Sequence, residues 1–284
     1  MAHGMTYARL DAALVDRGLL PTRARAQAAI LAGEVYVDGE LVTKAGQRVG
    51  PQAVIELRGR RPKFVSRGGL KLDHALEIFA VDVQGLRVLD AGASTGGFTD
   101  CLLQRGAARV YAVDVGAGQL AWELREDPRV TVLERRNVRS LAADELGGPV
   151  DLITVDLSFI GLGKVLPVLR GVIRPGGAVV ALVKPQFEAG PKAAKRGVVR
   201  DPAVHEEVLR RVIAEAESAG FRAVDATYSP IAGPEGNLEY FLRLDTSPGP
   251  SRPPDVAAVV RAAHARVPRR GAPVRARAGA GGAR

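Results

Sequence analysis

Four charged side chains occur where an α/β enzyme would bring them together. Asp156 and Lys184 each follow a short apolar run of the kind that forms a buried strand. Lys71 precedes the first such run, and Glu239 lies in a late hairpin. Ligands of open α/β sheets bind beyond the carboxyl ends of the strands. The spacing therefore predicts a site with ammonium and carboxylate groups, which are suited to proton transfer and to stabilising developing charge.

A glycine-rich turn follows the first predicted strand, which ends at Asp90. Gly92, Gly96 and Gly97 then precede a predicted helix, an arrangement that lets backbone approach a ligand closely. Ser94 stands where the dinucleotide fingerprint has its middle glycine, so NAD is a poor fit.

This turn resembles the first motif of class I methyltransferases, which bind S-adenosylmethionine. The resemblance implies that Asp114, at the end of the next strand, accepts hydrogen bonds from the ribose hydroxyls. It also implies that Asp90 faces the methionine moiety and that Asn137 lies near the adenine. The predicted cofactor residues are Asp90, Gly92, Ser94, Gly96, Gly97, Phe98, Asp114 and Asn137.

The four charged residues resemble the Lys-Asp-Lys-Glu tetrad of FtsJ-type RNA ribose 2′-O-methyltransferases. Their contexts are Leu70-Lys71-Leu72, Asp156-Leu-Ser-Phe, Lys184-Pro-Gln-Phe and Leu238-Glu239-Tyr-Phe. The resemblance implies that a ribose hydroxyl attacks a methyl group and loses its proton. Two roles for Lys184 stay open at this point. As a neutral amine it would be the general base, and as an ammonium it would stabilise the developing alkoxide.

The first 60 residues predict a small module of two helices and several short strands. Thr22 is a predicted helix cap, and Asp38-Gly39 is a predicted hairpin turn. Three segments resemble the S-four-type RNA-binding domain: Arg9-Leu-Asp, Thr22-Arg-Ala-Arg and Gly33-Glu-Val-Tyr-Val-Asp-Gly. The backbone N–H groups at helix starts favour phosphate oxygens. The predicted RNA contacts near helix starts are Arg9, Arg23 and Arg25.

After a basic linker at residues 61–66, strand and helix patterns alternate as far as residue 245. Such alternation predicts a doubly wound α/β fold of the Rossmann-like class, here as a methyltransferase domain over residues 67–245, preceded by the small α+β domain at 1–60. Residues 246–284 contain eight arginines against one aspartate, with much Pro, Gly and Ala. We expect this basic tail to be disordered, because it offers little apolar surface to bury. Whether it contacts phosphates or is simply solvated stays open.

The order of the two domains resembles the haemolysin-A-like (TlyA) family, from about Arg9 to Leu244. The resemblance implies S-adenosylmethionine-dependent methylation of cytidine 2′-hydroxyls in ribosomal RNA, with ribosomal RNA or ribosomal subunits as partners. Phe64 stands where family linkers can carry tryptophan, which leaves linker-specific behaviour open. Side chains predicted to hold the target nucleotide are Arg67 and, on the loop after Lys184, Lys192, Lys195 and Arg196.

Three other functions remain as alternatives to RNA ribose methylation. One is a non-catalytic RNA-binding assembly factor that keeps the methyltransferase fold. Another is a haemolysin, which only the family's name suggests. The third is methylation of a base or a protein side chain, which gives no reason for Lys71 and Lys184 to occur together.

The composition excludes several classes of protein. No apolar run approaches the roughly 18 to 20 residues of a membrane helix, so we expect a cytoplasmic protein without a membrane partner. A single cysteine, Cys101, and four scattered histidines offer no metal-ligand spacing, so no metal is expected. The sequence contains no indication of an oligomeric state.

Overall fold

The computed structural model describes residues 7–57, 62–190, 197–233, 235–247, 249 and 253–267. The chain divides into two compact units, Met1–Lys63 and Phe64–Arg284. Each unit has its own buried apolar cluster. The predicted loop side chains Lys192, Lys195 and Arg196 lie outside the described residues.

The first unit combines two helices with short antiparallel strands. Its elements are β1 (Ala8–Arg9), α1 (Leu10–Asp16), α2 (Arg23–Leu31), β2 (Val35–Val37), β3 (Glu40–Leu41), β4 (Arg48–Val49) and β5 (Ile55–Leu57). Strand β1 pairs with β4, and the other strands form a sheet in the order β3-β2-β5. Two sequence predictions are confirmed. Thr22 caps α2 by accepting a hydrogen bond from the Arg25 amide at 3.3 Å, and Asp38 and Gly39 turn the β2–β3 hairpin with positive φ angles.

The second unit is built on a seven-stranded sheet in the order β11-β12-β10-β9-β6-β7-β8. The strands are β6 (Arg87–Ala91), β7 (Arg109–Val113), β8 (Val130–Leu133), β9 (Val150–Val155), β10 (Ile173–Val183), β11 (Arg222–Tyr228) and β12 (Tyr240–Asp245). Strands β6 to β10 are parallel, β12 runs antiparallel to β10, and the edge strand β11 runs antiparallel to β12. The predicted doubly wound α/β domain is thus confirmed.

Helices cover the sheet on its two faces. They are α3 (Gly68–Ile78), α4 (Gly97–Gln104), α5 (Trp122–Arg125), α6 (Leu166–Val172), α7 (Pro185–Glu188), α8 (Pro202–Ser218) and α9 (Val256–Arg266). Successive residues of β10 alternate between two apolar clusters: Val179 and Ala181 belong to one, and Val180 and Leu182 belong to the other. This alternation is the period-two geometry of a strand that is buried on both faces.

The C-terminal tail differs from its prediction. Residues 256–266 form helix α9, whereas the sequence predicts disorder throughout 246–284. Asp255 caps the helix by accepting a hydrogen bond from the Ala258 amide at 2.9 Å. Val256, Val260 and Ala263 are buried and pack in the main cluster of the sheet. The prediction of disorder was wrong here because a short apolar stripe at helical spacing is enough when a complementary surface already exists. Residues 268–284 lie outside the described part of the chain.

The last residues of the predicted basic linker at 61–66 belong to the second unit, which begins at Phe64. Phe64 is buried and belongs to the cluster that contains α3 and α4. The Val65 amide donates a hydrogen bond to the Asp100 carboxylate at 2.8 Å.

Within the described residues, no helix is long and apolar enough to cross a membrane, and no cluster of His, Cys, Asp and Glu has the arrangement of a metal site.

Candidate active site

Helix α3 carries Lys71 to the first of two lysine–carboxylate pairs. Leu72, Ala75 and Leu76 are buried on one face of α3 and fix the helix against the sheet. The Lys71 Nζ atom lies 2.5 Å from an oxygen of Glu239, the residue just before β12. The side chains are 11% and 1% exposed, so this ion pair is almost completely shielded from water.

The second pair joins the ends of two neighbouring strands. Asp156 follows β9 and Lys184 follows β10, and the Lys184 Nζ atom lies 2.6 Å from the Asp156 carboxylate. The same ammonium group donates a hydrogen bond to the Ser158 hydroxyl at 3.0 Å. Because β9 and β10 are adjacent and parallel, these side chains meet at one edge of the sheet.

Gln186 contacts the first of the two pairs. It lies in the short helix α7, two residues after Lys184, and its amide nitrogen donates to the Glu239 Oε1 atom at 3.4 Å. The other Glu239 oxygen is bonded to Lys71. The carbonyl oxygen of Gln186 is buried and has no hydrogen-bond partner among the described residues. Gln186 stands in the Lys184-Pro-Gln-Phe motif, but the sequence alone assigns it no role, since its contact with Glu239 is not a local feature.

The glycine-rich turn is tight because other backbone lies against it. A Cβ atom on Gly92 would overlap the carbonyl oxygen of Asp156, and one on Gly96 would overlap the side chain of Leu124. Both glycines also have positive φ angles, near +93° and +100°, which glycine adopts without strain. Gly92 therefore allows the turn to lie close to Asp156, at the end of β9.

Asp90 lies in β6, just before the turn, and its side chain is enclosed by the protein. Its side chain is fully buried and accepts hydrogen bonds from the hydroxyls of Thr99 at 2.6 Å and Thr154 at 3.2 Å. Burial raises the pKa of Asp90 to about 7, and the nearby negative charge of Asp156 adds to the increase. Asp90 thus joins β6 to α4 and β9 through these two hydroxyl groups. The methionine-facing role implied by the family resemblance stays a prediction.

Two cavities meet at the carboxyl end of the sheet. The larger, of about 480 Å³, is lined by Asp114, Gln119, Arg136, Asn137 and the segment from Asp156 to Ile160. The smaller, of about 190 Å³, is lined by Ser66, Arg67, Lys71, Gly97, Phe98, Asp156 and Gly233. Gly92, Ser94 and Asp156 line both cavities. A ligand that fills the larger cavity therefore extends towards the lysine–carboxylate pairs.

Asp114 presents an oriented carboxylate to the larger cavity. One of its oxygens accepts a hydrogen bond from the Ser94 amide at 2.9 Å, and the other accepts one from the Gly116 amide at 2.7 Å. These bonds orient the carboxylate and leave its other lone pairs for hydroxyl groups. Asn137 lines the same cavity.

An aromatic pair stands at the rim of the larger cavity. Phe159 is 89% exposed and has a φ angle of +65°, which is unusual for a bulky residue. Its ring centroid lies 4.7 Å from that of Phe187, and the Lys184 ammonium lies 5.7 Å from the Phe187 ring. Backbone strain of this kind clusters at functional sites. Both phenylalanines end motifs of the predicted tetrad, but the sequence alone assigned neither of them a role.

The structure brings most of the predicted site residues of the second unit together. Arg67 lines the smaller cavity and donates to the Ala232 carbonyl at 2.9 Å, so part of its guanidinium holds a loop of the site. In the first unit, Arg9 and Arg23 both bond to Asp11, and Arg25 is exposed.

Comparison with known proteins agrees with this geometry. Residues 64–246 match the FtsJ-like methyltransferase family, and residues 8–55 match the S4 domain. The chain is 50% identical over 241 residues to the 16S/23S rRNA (cytidine-2′-O)-methyltransferase TlyA of Mycobacterium tuberculosis, which covers 84% of this chain and 90% of the relative. The chain belongs to the TlyA family of FtsJ-like methyltransferases. The sequence-based family prediction is thereby confirmed.

Two further relatives of this TlyA-family chain span both of its domains. Hemolysin A of Brachyspira hyodysenteriae is 40% identical over 238 residues, covering 83% of this chain and 99% of the relative. The solved structure of a candidate hemolysin from Streptococcus thermophilus is 41% identical and superposes with a TM-score of 0.72, covering 93% of this chain and 98% of that one. The similarity to these relatives therefore extends over most of the chain.

Proposed function

We propose that this chain transfers a methyl group from S-adenosylmethionine to the 2′-hydroxyl of a cytidine in ribosomal RNA. The observation that carries the proposal is the convergence of two lysine–carboxylate pairs, Lys71–Glu239 and Lys184–Asp156, beside a cavity of nucleoside size. The TlyA relative that is 50% identical is described with this activity, which supports the choice of cytidine and of ribosomal RNA.

The larger cavity suits the nucleoside part of S-adenosylmethionine. Asp114 is oriented to bind the ribose hydroxyls, and Asn137 and Val115 line the wall where a purine would lie. The glycine turn lets backbone approach the rest of the molecule, which would extend along Gly92 and Ser94 towards Asp156. When bound, the cofactor supplies an electrophilic methyl group on a sulfonium.

The tetrad would hold the ribose hydroxyl and manage its proton. Asp156 and Lys71 line the same cavity, and the Lys184 ammonium is ion-paired with Asp156 at 2.6 Å. A hydroxyl bound beside Asp156 would therefore lie near Lys184. The carboxylates of Asp156 and Glu239 fix the two lysines, so little reorganisation is needed as the oxygen gains negative charge. A lysine that accepts the proton and a lysine that stays charged and stabilises the alkoxide both remain compatible with this geometry.

The S4 domain would hold the RNA while the methyltransferase domain acts on one ribose. Phosphate contacts fix the position of an RNA but do not read its sequence. Arg9, Arg23 and Arg25 in the first unit and Arg67 in the second are the proposed contacts. The exposed ring of Phe159, beside the tetrad, would stack on a base that is turned out of its helix.

Methyl transfer to RNA tests this function directly. Ribosomal RNA and ribosomal subunits from cells lacking the gene would be incubated with the enzyme and labelled S-adenosylmethionine. Nucleoside mass spectrometry would then show 2′-O-methylcytidine. Lys184→Ala should lower the rate by about 10²-fold or more, whereas Lys164→Ala, an exposed lysine outside both cavities, should not change it. Cofactor binding without methyl transfer to any of these RNAs would favour a non-catalytic assembly factor, and a methylated base would contradict the ribose as acceptor.

A further inference from the structure

Asp11 is a fully buried carboxylate in the first turn of helix α1. Four hydrogen bonds reach it from three side chains. Arg9 donates from Nε and Nη2 at 3.1 Å each, Arg23 donates from Nη2 at 3.1 Å, and Gln27 donates from its amide at 2.8 Å. These bonds, that of Arg9 above all, hold the pKa of Asp11 well below its usual range. The carboxylate is therefore charged and its partners are fixed around it.

The two arginines are buried only on the side that faces Asp11. Their side chains are 53% and 58% exposed, whereas the carboxylate between them is not exposed at all. A guanidinium has five N–H donors in a planar fork. Among the described residues, Arg9 uses Nε and Nη2 and Arg23 uses Nη2 on Asp11, so Nη1 of each remains directed elsewhere.

The backbone also restricts the position of the Arg9 guanidinium. A Cβ atom at Gly46 would lie 3.2 Å from the Arg9 Nη1 atom, which is closer than side chains normally approach. The neighbouring loop is joined to α1 by hydrogen bonds from the Leu10 amide to the Gln47 carbonyl and from the Asp11 amide to the Ala45 carbonyl. The guanidinium of Arg9 therefore lies between a buried carboxylate and a glycine, in one defined orientation.

We propose that Asp11 is a positioning residue that orders Arg9 and Arg23 into a preformed clamp for an RNA phosphate. The inference rests on the proposed function, in which this unit binds RNA. Long side chains that are fixed before binding lose less conformational entropy when they meet a ligand. Two guanidinium groups held on one carboxylate also lie close to each other, and guanidinium N–H donors suit phosphate oxygens.

The ordering of the two arginines and the net charge of the protein predict opposite effects on RNA affinity when the Asp11 carboxylate is lost. Replacing the carboxylate by an amide makes the protein more positive, and general electrostatic attraction to RNA would then tighten binding. Loss of the ordered clamp would weaken binding instead. The sign of the change therefore separates positioning from bulk charge.

The experiment measures binding of the full-length chain to labelled 16S and 23S ribosomal RNA over a range of KCl concentrations. We expect Asp11→Asn to raise the Kd by about fivefold to tenfold and to reduce the salt dependence by about one phosphate contact. Asp16→Asn is the matched control, since it makes the same charge change at an exposed position of the same helix. It should leave the Kd unchanged or slightly lower it.

A second pair of variants guards against loss of folding in Asp11→Asn. Arg9→Lys and Arg23→Lys keep the charge but lose the planar fork. Circular dichroism should show that both variants are folded. In the RNA titration, both should bind several-fold more weakly. Unchanged or tighter binding by folded Asp11→Asn would overturn the clamp. Unchanged binding by an Arg9→Ala, Arg23→Ala double variant would overturn both the clamp and the RNA-binding role of these arginines, while methyl transfer would be judged separately by its own assay.

Discussion

Lys71 and Glu239 form an ion pair at 2.5 Å although 168 residues separate them along the chain. Lys71 comes from the first helix of the methyltransferase domain, and Glu239 precedes a late antiparallel strand. The pair therefore joins an early and a late segment of the domain, at the candidate active site.

Removal of one partner from this pair should cost more stability than removal of both charges. Lys71→Met leaves the Glu239 carboxylate buried without its cation, and we expect a loss of about 3 kcal/mol in the free energy of unfolding. The Lys71→Met, Glu239→Gln double variant should recover most of that loss, because a neutral amide needs no counterion. Urea unfolding followed by circular dichroism measures both, and additive effects of the two substitutions would contradict the prediction.

Gln186 should affect turnover more than binding. Gln186→Met keeps the length of the side chain but removes the donor to Glu239. Hydrogen bonds at an active site often shorten in the reacting complex. We expect kcat to fall by about tenfold with little change in KM for S-adenosylmethionine. Gln104→Met, an exposed site in α4, serves as the control, and an equal fall for both variants would argue against a positioning role.

Asp114 should control affinity for the cofactor. In Asp114→Asn an amide N–H would face the Ser94 or Gly116 amide, so the side chain would turn and lose one acceptor for the ribose. We expect S-adenosylhomocysteine to bind about 10-fold to 100-fold more weakly by titration calorimetry. Asp144→Asn, which is exposed and lines neither cavity, should bind normally. Equal affinity of the Asp114 variant and the wild type would remove Asp114 from the cofactor site.

Gly92 should tolerate substitution much less than another glycine with positive φ. Alanine at Gly92 would be strained and would also overlap the Asp156 carbonyl, whereas at Gly118 nothing lies within 4 Å of the added Cβ. We expect a loss of about 3 kcal/mol for Gly92→Ala and about 1 kcal/mol for Gly118→Ala. Thermal denaturation tests the difference, and methyl transfer should be lost only in the first variant. Similar melting temperatures would show that the turn can move away from β9.

Asp90 should make stability depend on pH in a specific direction. Its pKa is raised to about 7 in the folded chain from an ordinary value of 3.8, so between these values the folded state binds a proton that the unfolded state lacks. Stability should therefore fall by up to about 1.4 kcal/mol per pH unit across that range and level off above pH 7. Asp90→Asn has no carboxyl group at this position that could titrate. The free energy of unfolding of the variant relative to that of the wild type, measured with urea, should therefore rise from pH 5 to pH 8. A difference that does not change with pH would contradict a buried acid with a raised pKa.

Much of the fold was predictable because its signals are local. The cap at Thr22, the Asp38-Gly39 turn and the β-branched runs of the parallel strands each specify one element through a few neighbouring residues. Helix α9 was not predictable in this way. The segment around it is dominated by Pro, Gly and Arg, and its short stripe of Val256, Val260 and Ala263 becomes stabilising only where the rest of the domain supplies a surface.

The sequence by itself determined which chemical groups the site has: the glycine turn, Asp114 and the two lysines with their two carboxylates stand in recognisable contexts. Only the tertiary structure decided how they pair. The tertiary structure pairs Lys184 with Asp156 and Lys71 with Glu239. It also buries Asp90 and directs Gln186 to Glu239. It also placed Asp11 between two arginines. The physical reason is that local patterns specify backbone conformation, whereas contacts between distant residues depend on which elements become neighbours and on what burial leaves between them.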